Sequence, residues 1–405
     1  MQTAERTLKD HSRDLTISRG PVDVPFLMLT LLLLGVGVVM VLSASYASAY
    51  YDLSKETGGN ATYYFTRQLV FALVGVAVML AASRVPLKLY SRFSLWVLGA
   101  AVVLLAAVLV IGSAGGGGTR WILVGGISIQ PSEIAKIGVI LSFATLICRY
   151  GNLMGTFKYG VAPFAAILGV IVVLLFLEPH LSASIIIILV GAVMLFIGGA
   201  RLFWFIGGLA GVGGLFLVAI TVLQYSSERI SAWLDPFGDP SDTGYQIVQS
   251  LYAIGSGGLF GLGLGQSRQK YLYLPEEHND FIFSIISEEL GFVGAGLILL
   301  IFALLVVRGY WIAMHSRDRY SFLVCTGITS LLALQVILNV AVCTNLVPCT
   351  GISLPFFSYG GSALLVQLGE AGIILSVSRD IPVTRAVKKR RPESVKSKQT
   401  LSEPS

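Results

Sequence analysis

The stretch "VPFLMLTLLLLGVGVVMVLSASYASAYY" (residues 24–51) contains no charged side chain. About 20 apolar residues are enough to cross the hydrocarbon core of a bilayer as a helix. Beyond it, further charge-free runs follow at Phe93–Thr119, Tyr159–Leu177, Leu181–Ala200, Leu202–Ser227, Leu290–Val307 and Tyr320–Gly369. The last is long enough for two spans separated by "TNLVPCTGISLPFFSYGG". Two shorter spans complete the set: Gln68–Ser83, and Pro131–Cys148 with Glu133 and Lys136 near its start. With 55% hydrophobic and 12% charged residues over 405 positions and a mean hydropathy of +0.80, a soluble globule is excluded. The expected fold is an all-α integral membrane protein of about ten transmembrane helices. They fall near 24–46, 67–83, 93–112, 131–148, 161–177, 181–199, 202–223, 281–307, 320–343 and 360–378. A large extracytoplasmic loop, residues 224–280, joins helices 7 and 8.

Lys and Arg set the orientation, because cytoplasmic loops carry the basic excess. With ten spans both tails share one side, and most of the 28 basic residues lie there. The tails are therefore expected to be cytoplasmic. The net charge of +6 reflects topology rather than nucleic-acid binding. Residues 1–20 are expected to form a polar tail and residues 381–405 a basic, disordered one whose "KKRR" suits anionic lipid. Between them, residues 21–380 form the membrane domain. The first apolar run reads as a retained span, not a cleaved signal.

The longer outer loops hold the acids, so the working site is expected outside the cytoplasm, where no ATP is available. The glycine-rich "GSAGGGGTRW" (112–121) and "GSGGLFGLGLG" (255–265) lack the strand and helix context of a nucleotide fingerprint. They read as turned loops, or as places where backbone meets a headgroup. Cys148, Cys325, Cys343 and Cys349 have no metal spacing and read as packing residues. The Asp-Pro steps of "DPFGDPSD" (235–242) suit turns better than a cation loop. Tyr245, Val248, Leu251 and Tyr252 share a helical face suited to the membrane interface.

Five carboxylates crowd into "PEEHNDFIFSIISEELG" (275–291). Asp280 stands at the mouth of a span, as a helix cap or as a general base. Ser284, Ser287 and Glu288 continue its face into the helix, and His278 is an alternative base. Two cationic clusters lie near the same loop. In "TRWILVGGISIQPSEIAK", Arg120 offers a planar fork and Lys136 a point charge for a phosphate, although Glu133 and Lys136 also suit a local ion pair. In "GQSRQKYLYLPEEHND", Arg268 and Lys270 precede Asp280 by about ten residues. Gln367 and Glu370 place polarity inside the last span, for interior pairing or a proton relay.

Together "IQPSEIAK", "LEPHLSAS", the stretch from "DPFGDPSD" to "EELGF", and "TGISLPFFSYGGSALL" resemble the SEDS family of shape, elongation, division and sporulation proteins. The likeness covers about residues 20–380 and leans to the division and sporulation branch. It implies a ten-span peptidoglycan glycosyltransferase that polymerises lipid II on the outer face of the bacterial cytoplasmic membrane. The implied partners are a class B penicillin-binding transpeptidase and other division-complex membrane proteins. Carried onto this sequence, the family's essential acid matches Asp280. Its binding positions match Arg120, Trp121, Gln130, Pro131, Ser132, Glu133 and Lys136, and its Ser-Tyr-Gly-Gly-Ser turn matches Ser358–Ser362. The residues add Arg268, Lys270 and Glu288 as candidate substrate contacts. No metal ligands are assigned, but a pyrophosphate leaving group admits a divalent cation, magnesium or manganese, as cofactor. A lipid II flippase and a non-catalytic division scaffold remain as alternative functions.

Overall fold

The computed structural model describes residues 20–51, 57–115, 118–125, 127–204, 207–208 and 227–381. Eleven helices of eight residues or more lie among them: α1 (Val24–Tyr51), α2 (Tyr63–Ala82), α3 (Leu87–Ile111), α4 (Pro131–Tyr150), α5 (Ala162–Leu177), α6 (Leu181–Gly198), α7 (Ser227–Leu234), α8 (Tyr245–Ser256), α9 (Ile282–Met314), α10 (Arg319–Cys343) and α11 (Gly361–Arg379). Nine are long and apolar enough to cross a membrane; α7 and α8 are not. The protein is therefore an integral membrane protein. The expected span 202–223 lies almost wholly outside the described residues, as do the two tails.

Local sequence explains the helix ends. Pro131 opens α4, where its missing N–H costs nothing. Asp318 caps α10 by accepting from the Ser321 amide at 2.9 Å. In the middle of the bundle, α4, α10 and α11 are mostly buried, whereas α2, α3 and α5 turn large apolar side chains outward. Trp96, Val103 and Val110 on α3 are among the most exposed large apolar side chains of the described residues. That inversion is what a hydrocarbon solvent permits. The three buried helices also carry the polar interior: Glu133 and Lys136 on α4, Gln335 and Asn339 on α10, Gln367 and Glu370 on α11.

Two details depart from the sequence reading. The glycine-rich loop after α3 contains three short antiparallel strands, β1 (Ser113–Gly115), β2 (Gly118–Val124) and β3 (Ile127–Ile129), in the order β1-β2-β3. The alternation in "ILVGGISI" supports the β2–β3 pair, with Ile122 opposite Ile129. Helix α8 buries Ile247, Val248, Ser250 and Ala253, and it packs on α9; of the tyrosine face, Tyr252 is exposed.

Helix α9 is broken at Gly291, whose φ of 69° a side-chain-bearing residue rarely adopts. The chain around Gly258–Gly263 fills the break. Leu262 and Gly263 donate to the carbonyls of Glu288 and Glu289, while Phe292 and Val293 donate to those of Gly258 and Leu259. The large loop is thus hydrogen-bonded into the helix that follows it.

Candidate active site

One end of the bundle gathers the start of α2, β2, the starts of α4 and α6, helix α7, the turn before α9 and the segment before α11. Between them lies a cavity of about 570 Å³. Its lining includes Asp280 together with Arg67, Arg120, Lys136 and Arg229. Trp121, Gln130, Glu133, His180, Glu276 and Tyr359 are among the other polar and aromatic residues of its wall, and Gln335 lies there too.

Asp280 comes just before α9, whose cap position is Phe281, and no side chain caps that helix. The capping alternative for Asp280 is therefore not realised. The half-buried carboxyl makes no ion pair among the described residues. Its pKa is pushed up to about 6, first by burial and then by Glu276, while Arg120, Arg229 and His278 pull the other way. Against the carboxyl stands Gly351 at a φ of +71°; a Cβ there would come within 2.8 Å of Asp280 Oδ2.

The cations reach the cavity from separate elements. Arg120, on β2, donates to the carbonyl of Pro179. Lys136 pairs with Glu133 at 2.7 Å, one turn apart and both buried. Arg229, on α7, donates to the Cys349 carbonyl at 3.2 Å. Arg67 lies on α2, where its guanidinium bonds the Tyr63 hydroxyl at 2.7 Å. On the turn between α5 and α6, burial raises Glu178 to about 7, against the pull of Arg120. Burial, with Arg120 and Lys136 nearby, lowers His180 to about 3, which keeps the imidazole neutral. Its Nε2 lies 3.5 Å from the Gln130 amide.

Of the residues singled out from sequence, the cavity brings together Asp280, Arg120, Trp121, Gln130, Glu133, Lys136 and Ser358. Ser358 is engaged on both sides: its hydroxyl donates to the Asn279 carbonyl and accepts from the Leu354 amide, each at 2.7 Å. Ser132 is buried behind the wall and is not part of the lining. Arg268, Lys270 and Glu288 lie elsewhere. Lys270 forms a buried pair with Glu289 at 3.0 Å. Glu288 accepts from the Ser267 hydroxyl, from the amides of Arg268 at 3.0 Å and Gln269 at 3.3 Å, and from Ser256 at 3.3 Å. Arg268 turns its side chain outward. The polar stripe below Asp280 is therefore filled by the protein itself, with Ser284 bonded to Ser250 at 2.7 Å. Nor does Glu370 face the cavity; it is buried in α11, and neither carboxylate oxygen has a hydrogen-bond partner among the described residues.

Sequence reasoning did not single out Arg67, Arg229 or Gln335. Arg67 sits in an apolar helix just after "YYF", and an intramembrane arginine is itself a signal of function. Among the described residues, no three His, Cys, Asp or Glu side chains converge on a point that could hold a metal ion. A protein-held magnesium or manganese site does not fit this donor set.

Comparison with known proteins follows the same outline. Residues 24–381 match the family model FTSW_RODA_SPOVE, described as "Cell cycle protein". The chain is 41% identical over 371 residues to stage V sporulation protein E of Bacillus subtilis, covering 90% of this chain and 99% of that protein. It is 40% identical over 360 residues to a probable peptidoglycan glycosyltransferase FtsW of Trichlorobacter lovleyi, covering 88% and 93%. Among solved structures, a chain from work on the coordination of polymerization and crosslinking by a peptidoglycan synthase complex aligns with a TM-score of 0.71 at 27% identity. That match covers 89% of this chain and 98% of the other. The rod shape determining protein RodA of Thermus thermophilus aligns at 0.65 and 26%, covering 89% and 97%.

Proposed function

This chain belongs to the FtsW, RodA and SpoVE family of cell cycle proteins, and we propose that it is a peptidoglycan glycosyltransferase that polymerises lipid II with Asp280 as general base. The observation that carries the reading is one cavity in which the inner carboxyl of Asp280, without an ion pair among the described residues, stands among four cationic side chains. Lipid II is a disaccharide-peptide on an undecaprenyl pyrophosphate. Bond formation at its anomeric carbon expels the pyrophosphate and releases a proton from the attacking sugar hydroxyl. Arg120, Arg229, Arg67 and Lys136 are disposed to meet the leaving anion, with the arginines offering planar forks. Asp280 takes the proton. Raised to about 6, its carboxyl is still ionised near neutral pH, yet it is a stronger base than an ordinary aspartate.

Both tails lie in the cytoplasm in this reading, so the cavity opens outside the membrane where lipid-borne sugars are joined. Residues 21–380 act as one membrane domain between two cytoplasmic tails. A class B penicillin-binding transpeptidase would crosslink the strands, alongside other division-complex membrane proteins. The flippase alternative leans on Glu370, which stands apart from the cavity.

The test is polymerisation of purified lipid II by wild type and Asp280→Asn, each with a class B partner present. A loss of roughly 10²–10⁴-fold with unchanged thermal stability is expected. Near-normal glycan synthesis by the variant would remove Asp280 from the chemistry. Orientation has its own check: a cysteine at Ser241 should react with an impermeant reagent in cells, and one at Arg317 should not.

A further inference from the structure

Asp280 is held by its backbone. Three consecutive carbonyls are captured from outside their own segment. His278 O accepts from the Tyr359 amide at 2.8 Å, Asn279 O from the Ser358 hydroxyl at 2.7 Å, and Asp280 O from the Asn339 side-chain amide at 2.8 Å. The first two donors precede α11, whereas Asn339 comes from the middle of the bundle, on α10, and is fully buried. Its NH₂ group also donates to the Ile352 carbonyl at 2.6 Å. An amide NH₂ has two hydrogens, and both are in use. Ile352 follows Gly351, the residue pressed against the Asp280 carboxyl. A single side chain thus ties the main chain beneath the carboxyl to the segment that walls it.

We propose that Asn339 is a positioning residue for glycosyl transfer: by clamping residue 280 to residue 352 it sets where the Asp280 carboxyl meets the acceptor hydroxyl. This inference rests on the reading of Asp280 as the base and adds the group that aims it. Asn339 is absent from the cavity lining, so it acts through Asp280 and not on substrate. Proton transfer requires hydrogen-bond reach, and a misplacement of about 1 Å can cost roughly 10²-fold. An apolar residue would fill the same space without fixing either carbonyl.

The experiment compares Asn339→Asp, which keeps the shape but turns the double donor into an acceptor, with Asn339→Leu, which removes both bonds. Ser330→Ala is the control. It lies on the same helix, is buried, and bonds the Thr326 carbonyl and the Tyr310 hydroxyl away from the site. Asp280→Asn is assayed beside them. For each full-length protein with its transpeptidase partner, kcat, KM for lipid II, the pH profile and thermal stability are measured.

The expected result is a kcat per folded molecule lower by roughly 10²-fold in both Asn339 variants, with KM moved by less than about threefold. In Asn339→Leu the acid limb of the profile should also shift down toward the ordinary carboxylate range as Asp280 leaves its walled position, whereas the carboxyl added in Asn339→Asp pushes it the other way. Glu276 and His278 on its own segment, Arg120 from β2 and Arg229 from α7 face the same carboxyl and are unchanged in these variants. Ser330→Ala should lose stability without losing kcat.

A normal kcat in folded Asn339 variants overturns the proposal. So does a kcat loss matched by Ser330→Ala, or one in Asn339→Leu with the acid limb unmoved. If Asn339→Leu does not reach the membrane, Asn339→Ser, which keeps one donor, is read in its place and should fall between wild type and Asn339→Asp. An active Asp280→Asn would instead overturn the reading of the base itself. An inactive Asp280→Asn beside fully active Asn339 variants would overturn the positioning role alone.

Discussion

Two buried charge clusters flank the start of α9, and they are built in opposite ways. In the first, Lys270 and Glu289 pair at 3.0 Å, and Ser43 from α1 donates to both Glu289 oxygens at 2.6 and 2.7 Å. Four donors from the large loop converge on the neighbouring Glu288. Every carboxylate oxygen there has a partner, and the result fastens the loop to α1 and α9. In the second cluster, about ten residues away in sequence, the Asp280 carboxyl makes no ion pair among the described residues and faces a cavity lined by four cations. Burying charge is costly, and the first cluster offsets that cost with internal hydrogen bonds. The second leaves the cost standing in the raised Asp280 carboxyl. A closed set of charges holds structure together; an open set is ready for a ligand.

The contrast breaks most sharply at Lys270. Lys270→Met strands Glu289 in the interior and should cost about 3–5 kcal/mol of stability, the usual penalty for removing one member of a buried pair. Thermal denaturation in detergent measures it. Turnover per folded molecule should hold, and a selective loss of lipid II use with full stability would place Lys270 among the substrate contacts after all.

Gly351→Ala probes the open cluster by the reverse route. A Cβ placed 2.8 Å from Asp280 Oδ2, at a φ of +71°, must displace the carboxyl. Turnover should drop by about 10–10²-fold, as small misplacements of a base do. Wild-type turnover in this variant would mean that the carboxyl tolerates movement.

Arg120 sharpens the picture of the leaving group. Arg120→Ala should raise KM and lower kcat/KM by about tenfold or more, and Arg120→Lys should recover only part, because the planar fork is lost. Equal recovery by lysine would reduce the role to a point charge.

A smaller and more gradual effect concerns pH. The base must be ionised, so activity should be full above neutrality and fall as pH drops through about 6, the raised value of Asp280. Stability runs the other way. The protonated carboxyl is the form favoured by burial, so its stabilising contribution is complete below the unfolded value near 4 and is lost as pH rises through about 6. An acid limb near pH 4 would contradict the burial that sets this shift.

The smallest effect is expected at the opposite end of the bundle. There Arg308 forks onto Asp23 at 2.6 and 3.0 Å and stacks over Trp311 at 4.0 Å. With the Arg308 side chain 29% exposed, Arg308→Ala should cost about 1 kcal/mol or less and leave polymerisation unchanged.

Much of the site was legible because its residues stand at the ends of unmistakable spans. Asp280 precedes one apolar run, and Arg120 and Lys136 bracket the opening of another. Arg268, Lys270 and Glu288 looked equally suitable, being charged and near Asp280 along the chain. Nearness in sequence says nothing about which charges find partners. Gly291 breaks α9 and lets the loop fold back onto it, which turns Lys270 and Glu288 inward, away from the cavity. Arg67 and Arg229 were passed over for the converse reason: they lie far from Asp280 in sequence and reach the cavity only through the packing of α2 and α7.

Length and polarity alone decided that this chain lives in a membrane, because a run of about 20 apolar residues has no other low-energy solvent. They also decided that charge gathers near the large loop, because charges are tolerated only where water or partners can reach them. Which charges are closed off and which stay open was decided by tertiary structure. A carboxylate with every oxygen satisfied and one facing a cavity are the same residue in a sequence. They differ in the hydrogen-bond donors that distant segments bring to them: Ser43 to Glu289, Ser267 to Glu288, and to Asp280 a clamp on its backbone carbonyl, from Asn339 and the Cys343 thiol, that leaves its carboxyl open to the cavity.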